Sequence, residues 1–233
     1  MFKSKYSNVL TIILIALIIL ILVIGIILFA KWYKQERTDK MNEKVIGEFM
    51  ENNKNGQNDE NEGNNTTDEN EIGEISDITN INTGTDSTSN TGTTKKKKTY
   101  LNGFVVIGYI EIPKTGIKYA ILETSSIKAL EVAVAVAYPS NPKLNTPGNI
   151  VIQGHNYRNG KFFSNNKNLS VGDKIKITDT SNKTLTYTIY EIFQTTSEDA
   201  EYMTRDTGDN IEISLSTCTD DTKRRLIIWA CEE

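Results

Sequence analysis

The chain has 233 residues and a formal net charge of −4. That length suits one or two domains, and that charge balance excludes the large single-sign field expected of a nucleic-acid binder. Two cysteines and one histidine exclude a disulfide framework and a structural zinc site, which takes four Cys or His ligands; any Cys–His chemistry has only His155 to use.

After a short segment (1–8), residues 9–30 read VLTIILIALIILILVIGIILFA without a charge. About 20 apolar residues cross a bilayer core. The run is longer than the apolar region of a signal peptide and no A-x-A cleavage pattern follows it, so an uncleaved transmembrane anchor is expected. Trp32 and Tyr33 suit an interfacial belt. Lysines flank the run on both sides (Lys3, Lys5, Lys31, Lys34), so charge alone orients it weakly.

Residues 31–98 are expected to form a flexible polar linker. Stretches such as ENNKNGQNDENEGNNTTDENE and TNINTGTDSTSNTGTT bury too little apolar surface to offset their ordering entropy. A flexible chain of that length spans roughly 40–50 Å. Within it, MNEKVIGEFM (41–50) has the make-up of a short helix continuing from the membrane, and Lys95 to Lys98 form a basic run, read as a solvated hinge.

Residues 99–233 are patterned as a globular β domain. Strand-length apolar runs alternate with turn signals: FVVIGYIEI (104–112), IKYAILE (117–123), NIVIQG (149–154), VGDKIKITD (171–179), LTYTIYEIFQT (185–195), IEISLSTC (211–218) and RLIIWA (225–230). SSIKALEVAVAVAY (125–138) is ambiguous, with a first half suited to a short helix. FFSNNKNLS holds a candidate helical turn. At least seven short strands and no long amphipathic helix indicate a closed or nearly closed barrel.

The chemistry concentrates at two strand ends. If IEISLSTC and RLIIWA pair as a hairpin across TDDTKR, Cys218 and Arg225 face each other, with Cβ atoms about 5 Å apart. Positive charge beside a thiol favours the thiolate, which is the nucleophile, and a guanidinium also stabilises charge developing on a carbonyl oxygen. The same register puts Cys231 near residue 212, about 20 Å along the strand from Cys218, beyond disulfide reach. His155 follows the strand NIVIQG at the start of a polar loop, where strand ends hold reactive groups. An imidazole there exchanges protons with a nearby thiol and leaving amine. Each signal alone has a plainer reading: a buried structural cysteine and a surface-loop histidine.

Together these pieces resemble the sortases of Gram-positive bacteria. The resemblance covers residues 100–233 and rests on GYIEIPKTGIKYAI (108–121), TPGNIVIQGHNYRNGKFF (146–163) and SLSTC…RRLIIWA (214–230). The family's cysteine segment commonly reads TLxTC; here Ser214 replaces the first Thr.

The resemblance implies an eight-stranded β-barrel with short helices. It also implies transpeptidation: Cys218 attacks the carbonyl before Gly in an LPxTG-like sorting signal, His155 passes a proton to the leaving amine, and Arg225 holds the oxyanion. An amine of a peptidoglycan precursor, or a pilin lysine, would resolve the thioacyl enzyme. The partners implied are secreted proteins carrying a C-terminal sorting signal, with the catalytic domain on the extracellular face of the membrane. Residues 80–98 show no aromatic lid of the pilin-assembling type, which favours wall anchoring. The GHN segment is similar to class B, but 196–210 is too short for the long helix of that class, so class D, B or E stays open. Tyr138, Leu215, Thr217 and Trp229 are candidates for lining the substrate site. Asp206, Asp209 and Glu212 are acidic, but no metal and no cofactor is expected. Two other readings compete: a cysteine hydrolase with the same residues, and a tethered non-catalytic β domain that binds wall polymer or a protein partner.

Overall fold

The computed structural model describes residues 5–58 and 97–233. One helix, α1 (Lys5–Asn58), precedes nine strands: β1 (Thr99–Leu101), β2 (Phe104–Ile112), β3 (Ile117–Leu122), β4 (Val134–Tyr138), β5 (Gly148–Gln153), β6 (Lys174–Asp179), β7 (Thr184–Thr196), β8 (Ile211–Cys218) and β9 (Arg224–Glu232). A single-turn helix, α2 (Ile127–Leu130), leads into β4, with the Ser126 hydroxyl accepting from the Ala129 N–H.

Eight strands close the barrel in the order β2-β3-β4-β5-β8-β9-β7-β6, with β6 returning to β2. The β3–β4 and β5–β8 pairs are parallel and the rest antiparallel. β1 is an added strand, paired to β2 through Asn102 and Gly103 at φ 49° and 85°. An Asn-Gly pair with both residues at positive φ is the two-residue turn whose twist matches flanking strands. This strand escaped the periodicity reading because three residues carry no period.

Alternation divides the side chains between two sides of the barrel wall. Ile110, Ile121, Ile152, Ile177, Ile213 and Ile228 fill the interior. Two patches of the outer face are also covered, which is why β3, β4, β5 and β8 read as nearly continuous apolar runs. One patch holds Val151 and Ile227 beneath Tyr202, in the loop between β7 and β8. That loop has one 3-10 turn, Glu201–Met203, as its only helical element. The other patch holds Leu101, Val106, Ala120, Leu122 and Ala135, and α1 covers it.

The helix therefore differs from the expected linker. Residues 31–58 continue α1 instead of leaving the membrane run as a flexible chain. Val45, Ile46 and Phe49 are buried against the barrel, at the spacing of one helical stripe. Each such side chain contributes roughly 1.5–3 kcal/mol on full burial, which favours docking of the helix although the segment's composition is otherwise polar. The small Ala120, Ala133 and Ala135 beneath let the helix approach. Asn42, 1% exposed, fastens the contact: its side-chain amide donates to the Val132 carbonyl (2.7 Å) and accepts from the Ala120 N–H (3.2 Å). It thereby continues the ladder between β3 and β4 where the main-chain pairing stops. Residues 59–96, the rest of the expected linker, lie outside the described residues, as does most of the 80–98 segment read for a lid.

Within α1, Leu10–Ala30 is long and apolar enough to cross a membrane, with a mean hydropathy of 3.8. None of this stretch is buried against the barrel.

Candidate active site

The register of three neighbouring strands builds the site. β5 runs parallel to β8 with Gln153 opposite Ser216. One residue on, the Gly154 N–H donates to the Ser216 carbonyl (3.2 Å), and the Thr217 hydroxyl donates to the Gly154 carbonyl (2.8 Å). His155 follows directly, so it lies at the Cys218 end of β8. On the other flank, Cys218 lies opposite Arg225 of β9, the hairpin register expected from the sequence. His155, Cys218 and Arg225 thus gather at one end of β5, β8 and β9, with Cys218 and Arg225 on neighbouring strands about 4.8 Å apart. Cys218 and Arg225 share the outer-face parity of Ser216 and Ile227, and all three site residues are partly exposed.

Gly154 makes the strand end possible. A Cβ there would lie 2.7 Å and 2.8 Å from two ring carbons of Phe163 and 3.0 Å from a methyl of Val134. With no side chain at 154, the buried Phe163 ring closes on the strand end and turns the chain back. The Phe163 N–H then donates to the His155 carbonyl (3.0 Å).

Neighbours of this group fix its geometry. Asn156 donates to the Cys218 carbonyl (2.9 Å) and to Asp220 (2.9 Å), tying the histidine loop to the cysteine strand end. Asp220 also pairs with Lys167 at 2.6 Å; with Asn156, that lysine holds the Asp220 carboxyl below its usual range. The Tyr157 ring lies 4.8 Å from the imidazole. Partial burial pushes the His155 pKa below its ordinary value, and the negative charge of Glu131 opposes that shift. Burial thus favours the neutral imidazole. Among the described residues, the Arg225 guanidinium has no acidic or hydrogen-bonding partner and remains available to a ligand. Asn156 was not singled out in the sequence, because its reach to the Cys218 carbonyl exists only in the folded chain. Glu131 carries no local signal, because only the tertiary fold brings it near the histidine.

The four candidate lining residues separate. Thr217 borders a cleft of about 540 Å³ together with Cys218, Asn156, Phe163 and Ile192. Leu215 is 1% exposed and packs in the barrel core, two residues deeper along β8 than Thr217, and does not border this cleft. Trp229 sits opposite Ser214, about 13 Å along the strand from Arg225, packed between Arg205 (4.4 Å) and the Phe193 ring (4.8 Å). Tyr138 borders a different cleft of about 400 Å³ with Pro147 and Arg205, toward the Gly148 end of β5. Cys231 lies opposite Glu212 and both cysteines are free thiols. Glu212 is engaged by Arg205 (2.6 Å) and by the Tyr190 hydroxyl (2.6 Å). Among the described residues, no three His, Cys, Asp or Glu side chains gather as metal ligands.

Comparison with known proteins agrees with this architecture. The Sortase domain family model matches residues 110–233. The chain is similar to a sortase D transpeptidase of Clostridium perfringens, with 32% identity and a TM-score of 0.50 over 55% of this chain and 79% of that one. It is similar to sortase A from Corynebacterium diphtheriae, at 28% identity and a TM-score of 0.51 over 56% and 61% of the two chains. A third likeness is to a C. perfringens sortase C solved with the C-terminal cell wall sorting motif, at 26% identity and a TM-score of 0.50 over 55% and 70%. No curated protein sequence matches the chain. Matched by the family model over more than half its length, the chain belongs to the sortase family and has that family's transpeptidase fold.

Proposed function

We propose that this protein is a membrane-anchored cysteine transpeptidase that cleaves an LPxTG-like sorting signal and joins the released carbonyl to an amine acceptor. The observation that carries the reading is the gathering of His155, Cys218 and Arg225 at one end of the barrel, with Cys218 bordering an open cleft.

Cys218 Sγ attacks the carbonyl carbon that precedes Gly in the signal. The thiol proton passes to the neutral His155 imidazole, and the developing oxyanion meets the Arg225 guanidinium. When the C–N bond breaks, the leaving amine takes the proton from the imidazolium, and a thioacyl enzyme remains. An acceptor amine then attacks the thioester, His155 takes its proton, and Cys218 leaves and is reprotonated. A proton-transfer group of this kind contributes about 10²–10⁴-fold to rate.

The helix Leu10–Ala30 serves as an uncleaved anchor, with the barrel on the extracellular face. A secreted protein with a C-terminal sorting signal is the donor. A peptidoglycan-precursor amine is the favoured acceptor; a pilin lysine is the other.

The test is transpeptidation by the full chain in detergent, with LPxTG-type peptides and a primary amine, read by product mass. Wild type yields amide product and Cys218→Ala yields none. Carboxylate product that is indifferent to added amine identifies a hydrolase, and no cleavage of any peptide contradicts the enzyme reading.

A further inference from the structure

The histidine loop is held from below by α1. Asp39 lies nine residues beyond the apolar run, roughly 14 Å of helix rise. Its carboxylate forms an ion pair with Lys161, in the loop that leaves His155. It also accepts from the Tyr119 hydroxyl (3.4 Å).

The Tyr119 ring stacks on Phe162 at 4.8 Å and 15°. Phe162 meets Tyr157 edge-on at 5.7 Å, and Tyr157 meets the His155 ring at 4.8 Å. One carboxylate on the helix therefore grips the loop by charge at Lys161 and by a run of rings that ends on the imidazole. Phe162 is itself in the left-handed region, at φ 49°, and 2% exposed. A bulky residue holds that conformation only where its surroundings over-determine it. The stack on Tyr119 is part of that restraint, and burial pushes the Tyr119 phenol up to about 12, so it stays a donor to Asp39 throughout the neutral range.

We propose that the membrane-proximal part of α1 is a working part of this site, with Asp39 a positioning residue that holds the His155 loop through Lys161 and Tyr119. The inference rests on the reading of His155 as the proton-transfer group. It makes the segment between membrane and barrel more than a spacer: the helix that anchors the protein also sets the orientation of the imidazole.

The experiment uses the full chain in lipid nanodiscs and compares wild type, Asp39→Ala and the charge exchange Asp39→Lys with Lys161→Asp. The first readout is the kcat and KM of transpeptidation with an LPxTG-type peptide. The second is the His155 ring resonance, which needs no activity and is unique because the chain has one histidine. Asp39→Ala is expected to lower kcat roughly 3- to 10-fold, a loosening and not a removal of the proton-transfer group, with KM changed less than about twofold. The His155 resonance is expected to shift, and the charge exchange to recover most of both effects. An Asp39→Ala enzyme with wild-type kcat and an unmoved resonance overturns the proposal, as does a loss that the exchange leaves uncorrected. A wild type inactive on every peptide counts against the transpeptidase reading alone, and the resonance then decides the positioning role by itself.

Discussion

Replacing Gly154 by alanine tests how the fold delivers its histidine. The new Cβ would lie 2.7 Å and 2.8 Å from Phe163 ring carbons and 3.0 Å from Val134 Cγ1, whereas carbon atoms pack best at about 3.5–4.0 Å. Phe163 and Val134 are both 0% exposed, so neither side chain escapes to solvent. Overpacking of this kind costs about 1–3 kcal/mol, which in a domain of this size lowers Tm by roughly 4–12 °C. The strain has two outlets: Phe163 moves, or the strand end carrying His155 moves. A 1 Å displacement of a catalytic group costs on the order of 10² in rate, so kcat/KM falls further than stability alone explains. The assay pairs thermal unfolding with transpeptidation in the same preparation. Gly154→Ala combined with Phe163→Leu, which opens space at the collision, is expected to regain part of the lost Tm. A single variant with unchanged Tm and unchanged rate would refute the argument that Phe163 packing sets the histidine.

Four further outcomes follow from the same geometry. Asn156→Ala removes the bonds to the Cys218 carbonyl and Asp220 and is expected to lower kcat roughly tenfold, about 1.4 kcal/mol, with little change in Tm; steady-state kinetics checks it. Asn42→Ala strands the Ala120 N–H and Val132 carbonyl beneath α1 and is expected to cost about 1–3 kcal/mol for each buried group left unpaired, read by thermal unfolding or by protease access to the helix. Because burial lowers the His155 pKa, the folded chain binds that proton less readily than the unfolded one. Its contribution is present in full above the unfolded value of about 6.5 and is lost as pH falls through the lowered folded value; His155→Gln should flatten the Tm-against-pH slope in that window. Cys231, whose thiol burial pushes above its ordinary pKa, is expected to react slowly with iodoacetamide, and Cys231→Ser to retain transpeptidation, as peptide mapping and kinetics would show.

Much of the barrel was legible because its strands are bounded by turn chemistry. Phe104–Ile112 and Ile211–Cys218 have the limits that their apolar runs and flanking Pro113 and polar loop define. The Cys218–Arg225 register followed from assuming the simplest hairpin, and the structure has it. The parallel placement of β5 beside β8, which brings the histidine loop to the Cys218 end of the barrel, was not legible; it joins segments about 60 residues apart, and no local pattern encodes such a pairing. The helix over residues 39–53 was only partly legible. Val45, Ile46 and Phe49 form a narrow stripe among polar residues, and its partner surface of small alanines exists only after the barrel closes. The burial of Leu215 in the barrel core was not legible for a related reason: in a strand buried on both faces, the apolar pattern does not say which side each residue faces.

The most direct test of the central claim is intact mass of the full chain after brief exposure to an LPxTG-type peptide without acceptor amine. The account predicts an adduct with the mass of the N-terminal peptide fragment, mapped to Cys218, absent from Cys218→Ala, present on Cys231→Ser and discharged to amide product when amine is added. A chain that never carries such an adduct, or carries it on Cys231, would contradict it.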